Sequence, residues 1–258
     1  MSSLNHIWVL AMNTYREAVR DKLLYNLLLF AGLMIASSIL LAQIQLGHDE
    51  RLYRDVGLSA IAFFGVLIAI FVGINLVHRE ISSKTIYTML SKPVQRWEFL
   101  VGKYVGLLTL LAVEVAIMSA CFIAVLFAKG SEFYSGLLWS ILLIYFELAL
   151  VTAVAIFFSS FTTPYLAGMF TVALWIIGHL LGDLRAFGSR SDIPGLKALM
   201  EALYWTLPNL DRLDIKADAS AGNPIELARI GAAALYAWLY SFVLMAGAML
   251  LFQRRDFR

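Results

Sequence analysis

Two carboxyl groups stand inside long apolar stretches of this sequence. Glu114 lies near the middle of residues 101–128, and Glu147 lies near the middle of residues 136–158. Intramembrane acids are costly, so both residues are candidates for a proton or substrate path. The alternative is a carboxyl that is protonated or hydrogen-bonded to Ser or Thr and serves packing alone. Neither acid has an obvious basic partner in a neighbouring stretch, and His179 is interpreted as an interfacial residue.

Motifs that would carry enzymatic chemistry are not found. A phosphate-binding loop needs G-x-x-x-x-G-K-[ST], but Gly102-Lys103 is the only Gly-Lys pair, and Tyr104 follows it. There is no H-E-x-x-H and no G-x-S-x-G. The single cysteine, Cys121, excludes an internal disulfide and a cysteine-clustered metal site. We therefore expect no catalytic residue, no metal site and no cofactor of the chain's own.

A polar segment, residues 78–103, interrupts the apolar stretches. It carries five basic and two acidic residues, and Pro93 divides it. A short helix before Pro93 would gather apolar side chains on one face, and a second helix is predicted to begin near Arg96. The segment is either an ordinary solvated loop or a surface that a partner presses against. The face consists of Ile81, Thr85, Met89 and Leu90.

The composition indicates a polytopic, all-α membrane protein. Of the 258 residues, 61% are hydrophobic and only 15% are charged, and the mean hydropathy is +0.79. Soluble domains are about half apolar and a quarter charged. Apolar runs of this length exclude an outer-membrane barrel, whose strands alternate. The net charge of +2 gives no reason to expect nucleic acid, and the first apolar run is expected to be a retained span rather than a signal peptide.

Hydrophobic runs and their flanks predict six membrane spans in one domain covering residues 1–258. An amphipathic interfacial helix, 4–22, precedes them, a charged loop covers 47–57, and an outer loop, 183–226, contains a helix over 194–208. Two G-x-x-x-G pairs, Gly102/Gly106 and Gly178/Gly182, predict helix contacts inside the subunit. The predicted spans are 23–46, 58–77, 101–128, 136–158, 165–182 and 227–252.

The distribution of basic residues predicts the orientation. Six spans put both termini and the 78–103 segment on one side, which carries eleven Lys/Arg and five acids. The other side carries nine Lys/Arg and eleven acids. Short cytoplasmic loops are enriched in Lys and Arg, so we expect both termini to be cytoplasmic.

These features together resemble a permease subunit of the type-2 ABC exporter family. The most specific part is E-x-x-x-x-T-I-Y-x-x-L-S-K-P-V-x-R-x-E-F-L-x-G-K, which runs from Glu80 to Lys103. The interfacial helix, the short turn at 159–164, the helical outer loop and the basic tail also fit. Within the family, the permeases associated with multicopper-enzyme maturation look closest, through SKPV and the run from Leu207 to Lys216. However, the apparent spans hold no Cys/Met/His cluster for copper.

The resemblance implies a complex with two ABC ATPase subunits, which bind the ATP and magnesium, and with a second permease copy, as a homodimer in membrane lipid. It implies a bacterial or archaeal cytoplasmic (inner) membrane. Residues 4–22 would be the elbow helix, with Arg16 and Arg20. The segment 78–100 would hold the coupling helix that contacts the ATPase, and its residues would be Glu80, Ile81, Lys84, Thr85, Ile86, Tyr87, Met89 and Leu90.

The function that follows is coupling of ATP hydrolysis in a separate subunit to export or movement of a substrate that the sequence does not identify. One alternative is a membrane anchor or assembly subunit of an ATPase-driven machine that moves no solute. Another is an intramembrane enzyme that uses Glu114 or Glu147.

Overall fold

A computed structural model describes residues 3–44, 49–82, 95–191 and 193–253. Over these residues the chain forms nine α-helices and one short 3-10 helix, so the prediction of an all-α protein is confirmed. The 3-10 helix covers Asp211–Leu213. The α-helices are α1 Ser3–Val19, α2 Lys22–Ile44, α3 Asp49–Ser82, α4 Arg96–Ala128, α5 Ser135–Ser159, α6 Pro164–Ser189, α7 Pro194–Thr206, α8 Lys216–Ala221 and α9 Leu227–Gln253.

Five of these helices are long and apolar enough to cross a membrane. Leu24–Ser37, within α2, is a shorter apolar helix, so the first of the six predicted spans is not confirmed. Pro164 opens α6, where its missing N–H costs no hydrogen bond. The five candidate spans are Arg51–Ile74, Trp97–Ala128, Ser135–Ser159, Pro164–Ser189 and Leu227–Phe252.

The charged stretch predicted as a loop over 47–57 is helical from Asp49 onward, and that prediction is wrong. Acidic residues at Asp49 and Glu50 suit a helix N-terminus, because the helix dipole favours negative charge there. Arg54, one turn further on, is buried against backbone carbonyl groups rather than exposed in a loop. Charge alone is therefore a poor marker of a helix boundary here.

The predicted outer loop, 183–226, is more ordered than its polar composition indicates. Helix α6 continues to Ser189, seven residues beyond the end of its predicted span at Gly182. Besides the predicted helix, which is α7, the loop contains the 3-10 helix and α8. Helix α8 ends at Gly222, whose φ of +74° is strained for any residue with a Cβ atom.

Helices α3 and α5 form the centre of the bundle, and α6 and α9 lie at its periphery. In an 18-residue apolar stretch of each span, 78% of the residues are buried in α3, against 22% in α6. The peripheral helices present large apolar side chains outward, as expected of surfaces that face lipid or another subunit. Examples are Met169, Ile176, Trp238, Phe242 and Val243.

Side-chain contacts define two ends of the bundle. At the first, called the α1 end, His6 of α1 and Phe252 of α9 both reach the first turn of α4, through Glu98 and Phe99. At the second, called the Arg54 end, Arg54 of α3 joins the α4–α5 connection to α8. Helices α3, α4, α5, α6 and α9 run between the two ends.

Candidate functional site

Helix α1 packs closely against the first half of α4, and two glycines make this possible. A Cβ atom at Gly102 would lie 2.6 Å from the Cβ of Leu10. A Cβ atom at Gly106 would lie 2.6 Å from the carbonyl oxygen of Ala11 and 2.7 Å from the Cβ of Thr14. The first G-x-x-x-G pair therefore does form a helix contact within the subunit, between the interfacial helix and a span.

Buried charged groups strengthen the same contact. The Glu98 carboxylate, 2% exposed, accepts the backbone N–H of Gln95 at 3.0 Å and lies 3.2 Å from the His6 ring. The Lys103 ammonium, 1% exposed, lies 3.8 Å from the Glu17 carboxylate and above the ring of Phe99. A displacement of the start of α4 would therefore also act on α1 through these two contacts.

Among the described residues, the contacts between the interfacial helix and α4 run through His6 and Glu17, and the roles predicted for Arg16 and Arg20 stay predictions. Arg16 and Arg20 are both exposed. The sequence predicts no helix contact for His6, Glu17, Glu98 or Lys103. The signal available for Glu98 and Lys103 is their place beside a G-x-x-x-G pair at a helix start.

The predicted coupling residues fall mostly outside the described residues. Glu80 and Ile81 belong to the last turn of α3 by their backbone. The others, Lys84, Thr85, Ile86, Tyr87, Met89 and Leu90, lie in 83–94, outside the described residues. The described helices fix where this segment is attached, since it joins Ser82 to Gln95 beside α1.

The two intramembrane acids differ in their surroundings. Glu114 is buried on the face of α4 that also carries Leu110, Leu111 and Met118. Neither of its carboxyl oxygens has a hydrogen-bond partner within the part of the chain that the structure describes. A carboxyl without a partner in apolar surroundings is favoured in its neutral form.

Glu147 has a basic partner, which corrects the interpretation from sequence. Its Oε1 atom accepts a hydrogen bond from the Trp175 indole at 2.9 Å and lies 3.4 Å from Nε2 of His179. Trp175 and His179 are one turn apart on α6, and their rings meet edge to face at 5.3 Å. The spacing of Trp175 and His179 is a signal for this, because residues four apart on a helix share a face. His179 thus contacts another span of the bundle, and its interfacial position stays a prediction.

The Arg54 end is held together by a buried guanidinium group. Arg54, 5% exposed, donates through Nε to the carbonyl oxygen of Ser220 at 2.9 Å and through Nη1 to that of Glu132 at 3.0 Å. Its guanidinium lies 4.8 Å from the ring centre of Tyr134. One side chain thus connects α3, the α4–α5 connection and α8.

The second G-x-x-x-G pair does not form a helix contact, so that expectation is wrong. The connecting segment 207–210 lies against Gly178, where a Cβ atom would be 2.9 Å from the Pro208 carbonyl oxygen. The N–H of Leu210 donates to the Gly178 carbonyl oxygen at 3.0 Å, and the N–H of Asn209 donates to the Tyr236 hydroxyl at 2.8 Å. The small residues admit a loop backbone between α6 and α9.

Helix α7 carries a cluster of aromatic and charged side chains near the Arg54 end. Hydrogen bonds from Trp205 and Arg185 to the carboxylate lower the pKa of Glu201. A hydrogen bond from Arg212 lowers the pKa of the Tyr204 hydroxyl, and the Arg185 guanidinium lies 4.3 Å from the centre of the same ring. These contacts attach α7 to the end of α6.

No site for metal chemistry is found among the residues with described side chains, where no three His, Cys, Asp or Glu residues come together. The arrangement is therefore one of helix contacts and a buried carboxyl–imidazole pair. A family model described as ABC-2 family transporter protein matches residues 3–257. The chain belongs to the ABC-2 transporter family.

The match to the ABC-2 family model covers nearly all of the residues that the structure describes. A comparison with curated proteins found no match to the chain. The ABC-2 membrane permeases are not themselves catalytic, which agrees with the expectation that the chain is not an enzyme. Membership also implies an ABC ATPase partner, and the chain is the membrane component of an ABC-2 transporter.

Proposed function

We propose that the chain is the permease subunit that couples ATP hydrolysis by a separate ABC ATPase to movement of a substrate across a bacterial or archaeal inner membrane. The observation that carries the proposal is the family match over residues 3–257. Two ATPase copies, a second permease copy, export as the direction and the narrower multicopper-maturation group rest on the sequence resemblance. The substrate is unknown.

The attachment of the 78–100 segment supports its assignment as the coupling element. Its two ends continue into long helices, α3 and α4, so a displacement of the segment acts directly on two candidate spans. The first turn of α4 is also tied to α1 through Glu98 and His6. Rigid helices transmit such a displacement to the rest of the bundle, so the permease itself needs no catalytic residue.

Contacts at the two ends also support six spans rather than five. His6 places α1 at the start of α4, and Phe252 reaches the same end of the bundle. Helix α3 begins at the opposite end, beside Arg54. Helix α2 connects these ends with 23 residues, or roughly 34 Å, which matches a hydrocarbon core of about 30 Å. Both termini and residues 83–94 then share a side, and the basic residues favour the cytoplasm.

Labelling of single cysteines would test this topology in a Cys121→Ser background. Asn5→Cys and Lys84→Cys should both react with an impermeant thiol reagent only after the membrane is opened. Asp218→Cys, in α8, should react in intact cells. Reaction of Asn5→Cys alone from outside would mean that α2 does not cross the membrane, and reaction of Lys84→Cys from outside would reverse the orientation.

Truncation of the apolar side chains of the coupling segment would test the ATPase contact. We expect Tyr87→Ala and Met89→Ala each to weaken binding of the ATPase subunit by about 1–2 kcal/mol, because few residues dominate an interface. The measurement is recovery of the ATPase with the permease at low protein concentration. The matched control is Ile193→Ala with Leu199→Ala, two exposed apolar residues near the other end of the bundle.

Undiminished ATPase recovery with the double variant Tyr87→Ala, Met89→Ala would contradict the coupling assignment. Loss of recovery in the control as well would indicate a general folding defect. An intact complex whose ATP hydrolysis responds to no solute would favour the alternative function, an anchor or assembly subunit without a transported substrate.

A further inference from the structure

The Glu147, Trp175 and His179 side chains form a polar cluster between two candidate spans, α5 and α6. Glu147 is 1% exposed, and its Oε2 atom has no hydrogen-bond partner among the residues that the structure describes. The side chain of His179 is 23% exposed, so the imidazole is the member of the cluster that the surroundings can reach.

The hydrogen bonds of His179 restrict where its protons can be. Its Nδ1 atom lies 3.1 Å from the backbone carbonyl oxygen of Trp175, and a carbonyl oxygen can only accept. Nδ1 must therefore carry a proton in either charge state of the ring. The second nitrogen, Nε2, faces Oε1 of Glu147 at 3.4 Å.

A proton on either Nε2 or Oε1 would make the 3.4 Å contact between them favourable. A carboxylate facing a neutral ring would place two lone pairs against each other and leave a single negative charge buried, which is costly. The favourable states are a carboxylic acid with a neutral imidazole, or a carboxylate with an imidazolium. Both states contain the same number of protons and have no net charge, so they differ only in which of the two atoms carries the proton.

Helix α4 also packs against α5 and carries Glu114, which is buried without a hydrogen-bond partner among the described residues. The following titratable and charged groups of the surrounding elements are engaged elsewhere or exposed. Asp183 on α6 and Asp211 in the 3-10 helix are exposed. Hydroxyls on α5 and α9 bond to backbone groups, as Tyr145 does to Leu108, Tyr240 to Thr206 and Tyr236 to Asn209. On α3, Arg54 bonds backbone carbonyls at the Arg54 end, and on α7, Glu201 pairs with Arg185. The described contacts thus leave Glu147 and His179 as each other's charge partner.

We propose that Glu147 and His179 form an intramembrane proton-binding site, which holds one exchangeable proton between Oε1 and Nε2 and is reached through the imidazole. Loss of this proton leaves one negative charge on the pair, and gain of a second leaves one positive charge. The Trp175 indole donates to the same carboxyl oxygen and holds it toward His179. The site depends on α5 and α6 being spans and does not depend on how the ATPase is coupled.

Nitrogen NMR of the full chain, labelled at histidine and held in lipid nanodiscs, would test the site. The chain has four histidines, so a His179→Gln variant assigns the signals of interest. We expect Nδ1 of His179 to remain protonated at every pH. In Glu147→Gln the titration midpoint of the ring should fall by about one pH unit or more, a tenfold or greater loss of proton affinity. The reason is that the neutral amide of Gln cannot compensate the positive charge of a protonated His179 ring.

The matched control is Glu114→Gln, which removes the other intramembrane carboxyl and should leave the His179 signals unchanged. Should Glu147→Gln fail to fold, Glu147→Asp retains the acid but withdraws it by one methylene, and the midpoint should fall in the same direction. A midpoint that neither variant moves, or a neutral ring protonated on Nε2 rather than Nδ1, would overturn the proposal. The measurement uses the permease alone, so its failure is distinguishable from failure of the ATPase experiment.

Discussion

The two ends of the bundle are held together in different ways. At the Arg54 end, one guanidinium group bonds backbone carbonyls of two separate connections, and a loop backbone inserts beside Gly178. At the α1 end, a whole amphipathic helix lies against a span through two glycines and two charged pairs. The first arrangement fixes loops to the bundle, whereas the second fixes a helix that can move as a rigid unit with α4.

This difference fits the coupling role that is proposed for the α1 end. Backbone carbonyls bonded to a buried charge resist displacement, because leaving them without a donor costs free energy. Close helix contacts through small residues transmit a displacement, because the two backbones move together. A coupling element is therefore expected at the α1 end, where residues 83–94 attach. The Arg54 end is expected to keep its structure while the α1 end is displaced.

The largest effect is expected from loss of the guanidinium at the Arg54 end. Arg54→Ala leaves the carbonyl oxygens of Ser220 and Glu132 without their donor. At about 1–3 kcal/mol for each unsatisfied group, we expect a loss of about 2–6 kcal/mol in the free energy of unfolding. Denaturant titration in mixed micelles would measure it. Arg51→Ala, on the exposed side of the same helix, is the control and should change stability by less than about 0.5 kcal/mol.

Equal losses in Arg54→Ala and Arg51→Ala would contradict the comparison between the two ends. The same would hold if Arg54→Ala released α1 from α4, because the two ends would then not be independent. Limited proteolysis of the connection between α1 and α2, near Arg20 and Lys22, would detect such a release.

Sequence reasoning identified the all-α class, the helix after Pro93 and the amphipathic helix that became α7. These follow from local patterns, since hydrophobic periodicity and proline act within one element. It failed where a contact joins distant residues, as Arg54 joins Ser220 across 166 positions. The local sequence around Arg54 does not indicate which distant backbone carbonyl group its guanidinium will bind.

The G-x-x-x-G pairs show the same limit in a single motif. Small residues predict a close approach but not what approaches. At Gly106 it is helix α1, and at Gly178 it is the connecting segment 207–210. The Glu147–His179 contact was also missed, because its two residues lie on different spans and only the packing of α5 on α6 joins them.

A smaller effect is expected from a methyl group added at the α1 end. Alanine is normally favoured over glycine inside a helix by about 1 kcal/mol, so a Gly→Ala change in open space should stabilise the chain. In Gly106→Ala, however, the new Cβ atom would lie 2.6 Å from the Ala11 carbonyl oxygen, which belongs to backbone and cannot turn away. Helix α1 must then shift, and we expect a net loss of about 1–3 kcal/mol.

Gly73→Ala in α3 is the matched control, because its nearest neighbour would be a Leu107 methyl group at an ordinary 3.8 Å. It should leave the free energy of unfolding unchanged or raise it slightly. Proteolysis near Arg20 should accelerate in Gly106→Ala alone, and recovery of the ATPase subunit should fall in the same variant, since α1 supports the start of α4. If Gly106→Ala released α1 yet bound the ATPase normally, α1 would be an anchor for the bundle and not part of the coupling path.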